Sequence, residues 1–140
     1  MVALVLVALS VAACGGDDGG GKKPGPPPQP KDSMLYDIPL HESAVLEGAK
    51  SGPGRETYRV GLPVLGLANF YMLVARMGDD MPFRDLEWCR GSRTGEPLQA
   101  FERVWRKPAT NDFLVLQGTA DGKGSQLVII DEKANATRTC

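Results

Sequence analysis

The sequence predicts an α+β domain: an antiparallel β-sheet of about five strands with one main apolar helix packed on it. Three observations lead there. Short runs rich in strand-forming residues, bounded by Gly/Pro turns, stand on both sides of a single continuous apolar stretch at about 63–77. All nine aromatic residues fall in 33–140. The Gly and Pro excess is concentrated outside that region: residues 15–32 hold six Gly and five Pro and nothing that can pack a core. Strands, then one helix, then strands is an α+β arrangement, and residues 33–140 are enough for one domain only.

Taken in order, Met34–Leu40 reads as an extended entry, because Pro39 biases Ile38 away from helix. Residues 44–50 and 56–60 flank Ser51-Gly52-Pro53-Gly54 and read as a hairpin. In its second run Tyr58 and Val60 share one face and Arg59 takes the other. Pro63 opens the apolar run and Gly78 closes it, the expected helix punctuation. That helix is apolar on most sides, with Asn69 and Arg76 on one polar line, so packing on a sheet is expected. Phe83–Cys89 reads as a strand with Leu86 and Trp88 on one side and Asp85 and Glu87 on the other. Asp112–Gly118 and Gln126–Asp131 are strands joined through Asp121-Gly122-Lys123-Gly124, the clearest hairpin in the chain.

Segment 97–107 fits two patterns. Leu98, Phe101, Val104 and Trp105 make a helical stripe between Pro97 and Pro108, whereas Phe101, Arg103 and Trp105 make one face of a strand. A possible second helix at 97–107 therefore stays open on the residues alone.

The first 32 residues differ in kind from the rest. Residues 1–13 are apolar except for Ser10, too short for the roughly 20 residues a spanning helix needs. Their length suits the core of a signal peptide. Val11-Ala12-Ala13-Cys14 resembles the lipobox of bacterial lipoproteins, in which the Cys is acylated and becomes the first mature residue. No Lys or Arg precedes the run, so a basic n-region upstream of Met1 is expected to be missing. Residues 14–32 would then be a lipidated Cys followed by a tether. Its Pro24–Pro30 half favours extended polyproline II at about 3.1 Å per residue.

Residues 37–78 also resemble a group of small extracytoplasmic bacterial lipoprotein domains of unassigned role. The matching pieces are Ile38-Pro39, Ala44, Phe70-Tyr71 and Gly78; His41-Glu42-Ser43 and Asp79 depart from the pattern. The resemblance implies one helix on an antiparallel sheet, and with it a strand at 99–106.

With Cys14 lipidated, Cys89 and Cys140 remain, and an oxidising compartment favours their pairing as a disulfide. Two Cys and one distant His lack structural-zinc spacing, so no metal and no cofactor is expected. His41 is the only His; beside Glu42 it would be the base of a small hydrolase, or a plain surface residue. Asp79, Asp80, Asp85 and Glu87 form an acidic group that lacks the calcium-loop pattern. Arg90, Arg93, Arg103, Arg106 and Lys107 fall near Trp88 and Trp105. A binding surface built on Arg90, Arg103, Trp105 and Arg106 competes with scattered charges beside two core Trp residues. The net charge of −1 offers no basic excess for nucleic acid.

The expected protein is a lipoprotein of the bacterial cell envelope, extracytoplasmic, with a non-catalytic binding or accessory domain. Its expected partners are the membrane, through the anchor, and an unidentified envelope protein or ligand. The alternatives are a small hydrolase using His41 with a carboxylate, and a structural lipoprotein presenting helix 64–77 to a partner.

Overall fold

The computed structural model describes residues 31–133 and 139–140. The expected leader, Cys14 and most of the tether lie outside the described residues. Within them the chain forms one antiparallel sheet of β1 (Val45–Leu46), β2 (Arg55–Val60), β3 (Glu87–Thr94), β4 (Ala100–Arg106), β5 (Phe113–Asp121) and β6 (Gly124–Glu132). Their spatial order is β1-β2-β6-β5-β4-β3. The architecture is α+β in the coarse sense and mostly sheet, with six strands where about five were expected.

The order explains where the helix sits. Strands β3 to β6 form a meander, and β2 pairs with the far side of β6. The chain between β2 and β3 must therefore cross from one half of the sheet to its opposite edge. Residues 61–86 make that crossing and carry the helix over one face. Inward residues alternate as a half-covered sheet requires: Tyr58 and Val60 from β2, Leu127 and Ile129 from β6, Leu114 and Leu116 from β5, Phe101 and Trp105 from β4. Val64, Leu67, Ala68 and Tyr71 meet them from the helix, and Ile38, Met77, Phe83 and Leu86 fill the flanks.

Segment 97–107 is resolved in favour of the strand, since β4 pairs with both β3 and β5. The second helix at 97–107 is not formed. A strand there gives ladder partners to both β3 and β5, whose facing backbone groups a helix would leave unpaired. The 121–124 turn is the predicted hairpin: Gly122 takes φ +59° between Asp121 and Gly124, as the first central position of a type II′ turn demands.

Three expectations need correction. The helix does not run unbroken from 63 to 77. It is α-helical over Val64–Asn69 (α1) and widens into a π-turn over Phe70–Val74, where the Ala75 amide donates to the Phe70 carbonyl. It ends at Arg76, with φ +52°, rather than at Gly78. The Met77 amide donates back to the Tyr71 carbonyl, a Schellman-type closure that buries Met77 completely. The 44–50 arm is also shorter than expected: only Val45–Leu46 pairs with β2, and Gly48–Lys50 forms a 3-10 turn instead. Asp85 is not on a strand face. It lies in the Phe83–Leu86 turn, where Arg84 has φ +55°, so it does not stand beside Glu87.

Candidate functional site

His41 and Ser43 occupy a tight turn at the entry to β1. The His41 Nδ1 is 2.8 Å from Ser43 Oγ, a nucleophile-to-base distance that links the sole His to a hydroxyl rather than a carboxylate. The surrounding bonds decide what the pair does. Nδ1 also accepts from the Ser43 amide, Ser43 Oγ accepts from the Gly61 amide, and the Ala44 amide donates to the His41 carbonyl. These amides are therefore engaged in holding the turn, so none of them can stabilise an oxyanion. The His41 ring packs edge-on against Phe70 at 5.4 Å. Together these contacts lock the entry segment against the helix.

The basic and aromatic residues are split by the sheet. Trp105 and Arg103 point into the helix-covered face and are fully or almost fully buried. Trp105 donates its indole N–H to the Met81 carbonyl and packs edge-on against Trp88 at 5.5 Å. Arg103 Nε donates to Asp79 Oδ1 at 3.2 Å, and Arg93 flanks the same carboxylate. Burial pulls the Arg103 guanidinium below its ordinary value, while Asp79 opposes that pull. Its Nη2 is buried without a partner. Arg90 faces the opposite side toward Glu102, and Arg106 pairs with Glu87 at 2.7 Å. Arg90, Arg103, Trp105 and Arg106 thus do not form one surface: the alternation of β4 sends Arg103 and Trp105 inward. Asp79 belongs to this ion-pair group, and among the described residues no three His, Cys, Asp or Glu side chains are placed to hold a metal.

Cys89 and Cys140 are paired, with Cα atoms 4.9 Å apart. Cys89 sits at a bulge between Trp88 and Arg90. Alternation from the inward Trp88 puts Cys89 on the side of the sheet away from the helix, where Val104, Phe113 and Val115 form a second small core with Ile130. In the chain-entropy account, closing a loop of 51 residues stabilises the fold by about 4 kcal/mol.

One buried group escaped the sequence reading. Glu56 lies on the inward face of β2, only 2% exposed. It accepts from the Met34 amide at 3.0 Å, the Leu35 amide at 3.4 Å and the Tyr58 hydroxyl at 3.1 Å. The alternation that placed Tyr58 and Val60 inward also places Glu56 inward, so the signal was present. Its role is to fasten segment 33–40 across the sheet, and the Tyr36 hydroxyl adds a bond to Asp131 at 2.7 Å.

No family model, curated protein or solved structure matches the chain. Function must therefore be read from surfaces. On the helix side, Leu65, Leu73 and Val74 are 52%, 69% and 68% exposed on the outward side of α1 and the π-turn. A hollow of about 350 Å³ lies beside Leu65, between Pro63, Leu98 and the β5–β6 turn. On the opposite side of the sheet, a hollow of about 210 Å³ is framed by Ser92, Thr94, Ala100, Glu102, Gln117 and Thr119. Among the described residues no helix is long and apolar enough to cross a membrane.

Proposed function

We propose that this chain is a lipoprotein of the bacterial envelope, held at a membrane through Cys14, whose folded part is an extracytoplasmic, non-catalytic binding domain. One observation carries the reading: the fold pairs Cys89 with Cys140, two of the three cysteines in the sequence. The paired thiols suit an oxidising compartment. Cys14 stands between an apolar run with the length of a signal-peptide core and a stretch rich in Gly and Pro. Acylation at that point supplies more than one chain, which stable anchoring requires. The non-catalytic part of the reading is supported by the His41–Ser43 turn, whose neighbouring amides are already engaged in holding it.

Fractionation of cells expressing the full chain tests the anchor. The wild type should sediment with membranes and leave them only in detergent, and Cys14→Ser should move the protein out of that fraction. Equal membrane retention of both proteins would overturn the reading.

The outward stripe of Leu65, Leu73 and Val74 supports a second reading, a structural lipoprotein that presents 64–77 to an envelope protein. Loss of an in-cell crosslinked adduct in Leu65→Ser/Leu73→Ser would support it; an unchanged adduct would remove it.

A further inference from the structure

The side of the sheet away from the helix is divided along the strand direction. Pairing registers place Arg90, Val104 and Val115 in one row across β3, β4 and β5, then Ser92, Glu102 and Gln117, then Thr94, Ala100 and Thr119. Val104 and Val115 of the first row belong to the small apolar core under Cys89. The other two rows are polar and open to solvent, and Thr94 lies five residues along β3 from the disulfide. The six side chains of these two rows share one face because each strand contributes positions two apart. With strands about 4.8 Å apart and residues two apart spaced by about 6.8 Å, they tile a plot of roughly 10 by 7 Å.

The plot is hollow for a simple reason. Ala100 sits in the middle of the last row between two threonines, so the sheet dips there by the length of a side chain. The resulting depression of about 210 Å³ is below the roughly 300–1,000 Å³ of pockets for drug-sized ligands. Its floor is the Ala100 methyl and strand backbone. Its rim is made of the hydroxyls of Ser92, Thr94 and Thr119 and of the Gln117–Glu102 pair, in which the Gln117 amide donates to the carboxylate at 2.8 Å. Arg90 lies 3.8 Å from the other oxygen of Glu102. The carboxylate is therefore positioned before any ligand arrives, which limits the ordering cost of binding.

We propose that this depression binds a single hexopyranose unit. A pyranose ring is a flat body with an apolar C–H face and a rim of hydroxyls that both donate and accept. The floor suits the C–H face, the three hydroxyls match its rim, and the Gln117–Glu102 pair stands at the edge as a fixed polar wall. The inference deepens the reading of the domain as a non-catalytic binder but does not depend on Cys14, so failure of one is distinguishable from failure of the other. The same ring chemistry is offered by a free sugar and by a unit of an envelope polysaccharide.

Amide chemical shifts of the soluble domain with its disulfide intact, followed by NMR during titration, test the proposal. The probes are the methyl glycosides of glucose, mannose and N-acetylglucosamine, and a linear N-acetylglucosamine oligomer. Saturable shifts in the millimolar range or tighter, centred on Ser92, Ala100, Gln117 and Thr119, are the expected result with at least one of them. Tighter binding of the oligomer identifies a polysaccharide as the source, and equal binding of the monomer identifies a single sugar. Ala100→Leu, which fills the depression, should weaken binding by roughly tenfold or more while amide shifts elsewhere stay in place. Thr119→Val provides a second variant that keeps strand preference and removes one hydroxyl. The absence of saturable shifts with every probe, or undiminished binding by both variants, would overturn the proposal.

Discussion

Gly118 stands directly across from Phe101 of the neighbouring strand β4. The Phe101 ring lies over it, occupying the place a Cβ would take. A side chain at 118 would push Phe101 off its rotamer, and overpacking of this kind costs about 1–3 kcal/mol. Gly118→Ala should therefore lower the denaturation midpoint by a corresponding amount, whereas Gly48→Ala, in a 3-10 turn with open space around it, should change it little. Asp79 has the same standing in electrostatic terms. It is half-exposed but neutralises Arg103, whose side chain is 1% exposed. Asp79→Ala should destabilise by about 2 kcal/mol, less than for a fully buried pair because water reaches the carboxylate. Adding Arg103→Met should recover most of that loss, since the guanidinium would no longer be buried without its partner. Equal stability of Asp79→Ala and wild type, measured by urea unfolding, would contradict this account of the pair. None of these contacts was visible in sequence. Gly118 reads as a strand glycine, and nothing in the spacing of 79 and 103 announces their meeting across the crossing segment.

At the scale of elements, the strand-favouring apolar runs of 113–116 and 127–130 and the Gly122 turn were sufficient to foresee the central hairpin. Local chemistry determined those features. The helix was visible as an apolar run, but its π-turn and early end were not. They depend on Tyr71 and Met77 being drawn inward together by the sheet beneath, a tertiary demand that periodicity does not encode. The far half of β3 was missed for a related reason. Gly91–Thr94 carries no apolar alternation because it is an edge strand facing water on most sides, and its polar, arginine-bearing edge also discourages pairing with other chains. The entry segment was read as extended, but its fastening was not foreseen. Replacing Glu56 by Gln leaves one position that donates where Met34, Leu35 and Tyr58 all need an acceptor. An unmet buried bond costs about 1–3 kcal/mol. Glu56→Gln should therefore lower stability by that amount, and hydrogen exchange should quicken first at the Met34 and Leu35 amides. Unchanged protection of both amides would remove the latch from the account.

The whole molecule carries a pH signature. Tyr36, Tyr58 and Tyr71 are all the tyrosines of the chain. Burial is the main cause that raises each phenol above its ordinary value, reinforced by Asp131 for Tyr36, Glu56 for Tyr58 and Tyr58 for Tyr71. A phenol with a raised folded value keeps its proton longer when folded, so on raising the pH the unfolded chain loses protons first. Stability is then full below the unfolded value of about 10 and falls as the pH rises beyond it. Tyrosinate absorbance and loss of the β-sheet signal should appear together in an alkaline titration. Ordinary, independent tyrosine ionisation in a still-folded protein would contradict the burial of these rings. Compartment, anchor and disulfide also belong to this scale, and they meet in the cysteines. The most direct measurement is the intact mass of the protein extracted from membranes after thiol alkylation without reduction. The account predicts a chain beginning at an acylated Cys14 with no thiol alkylated. A chain that retains residues 1–13, or one in which Cys14 is alkylated and lipid-free, would contradict it.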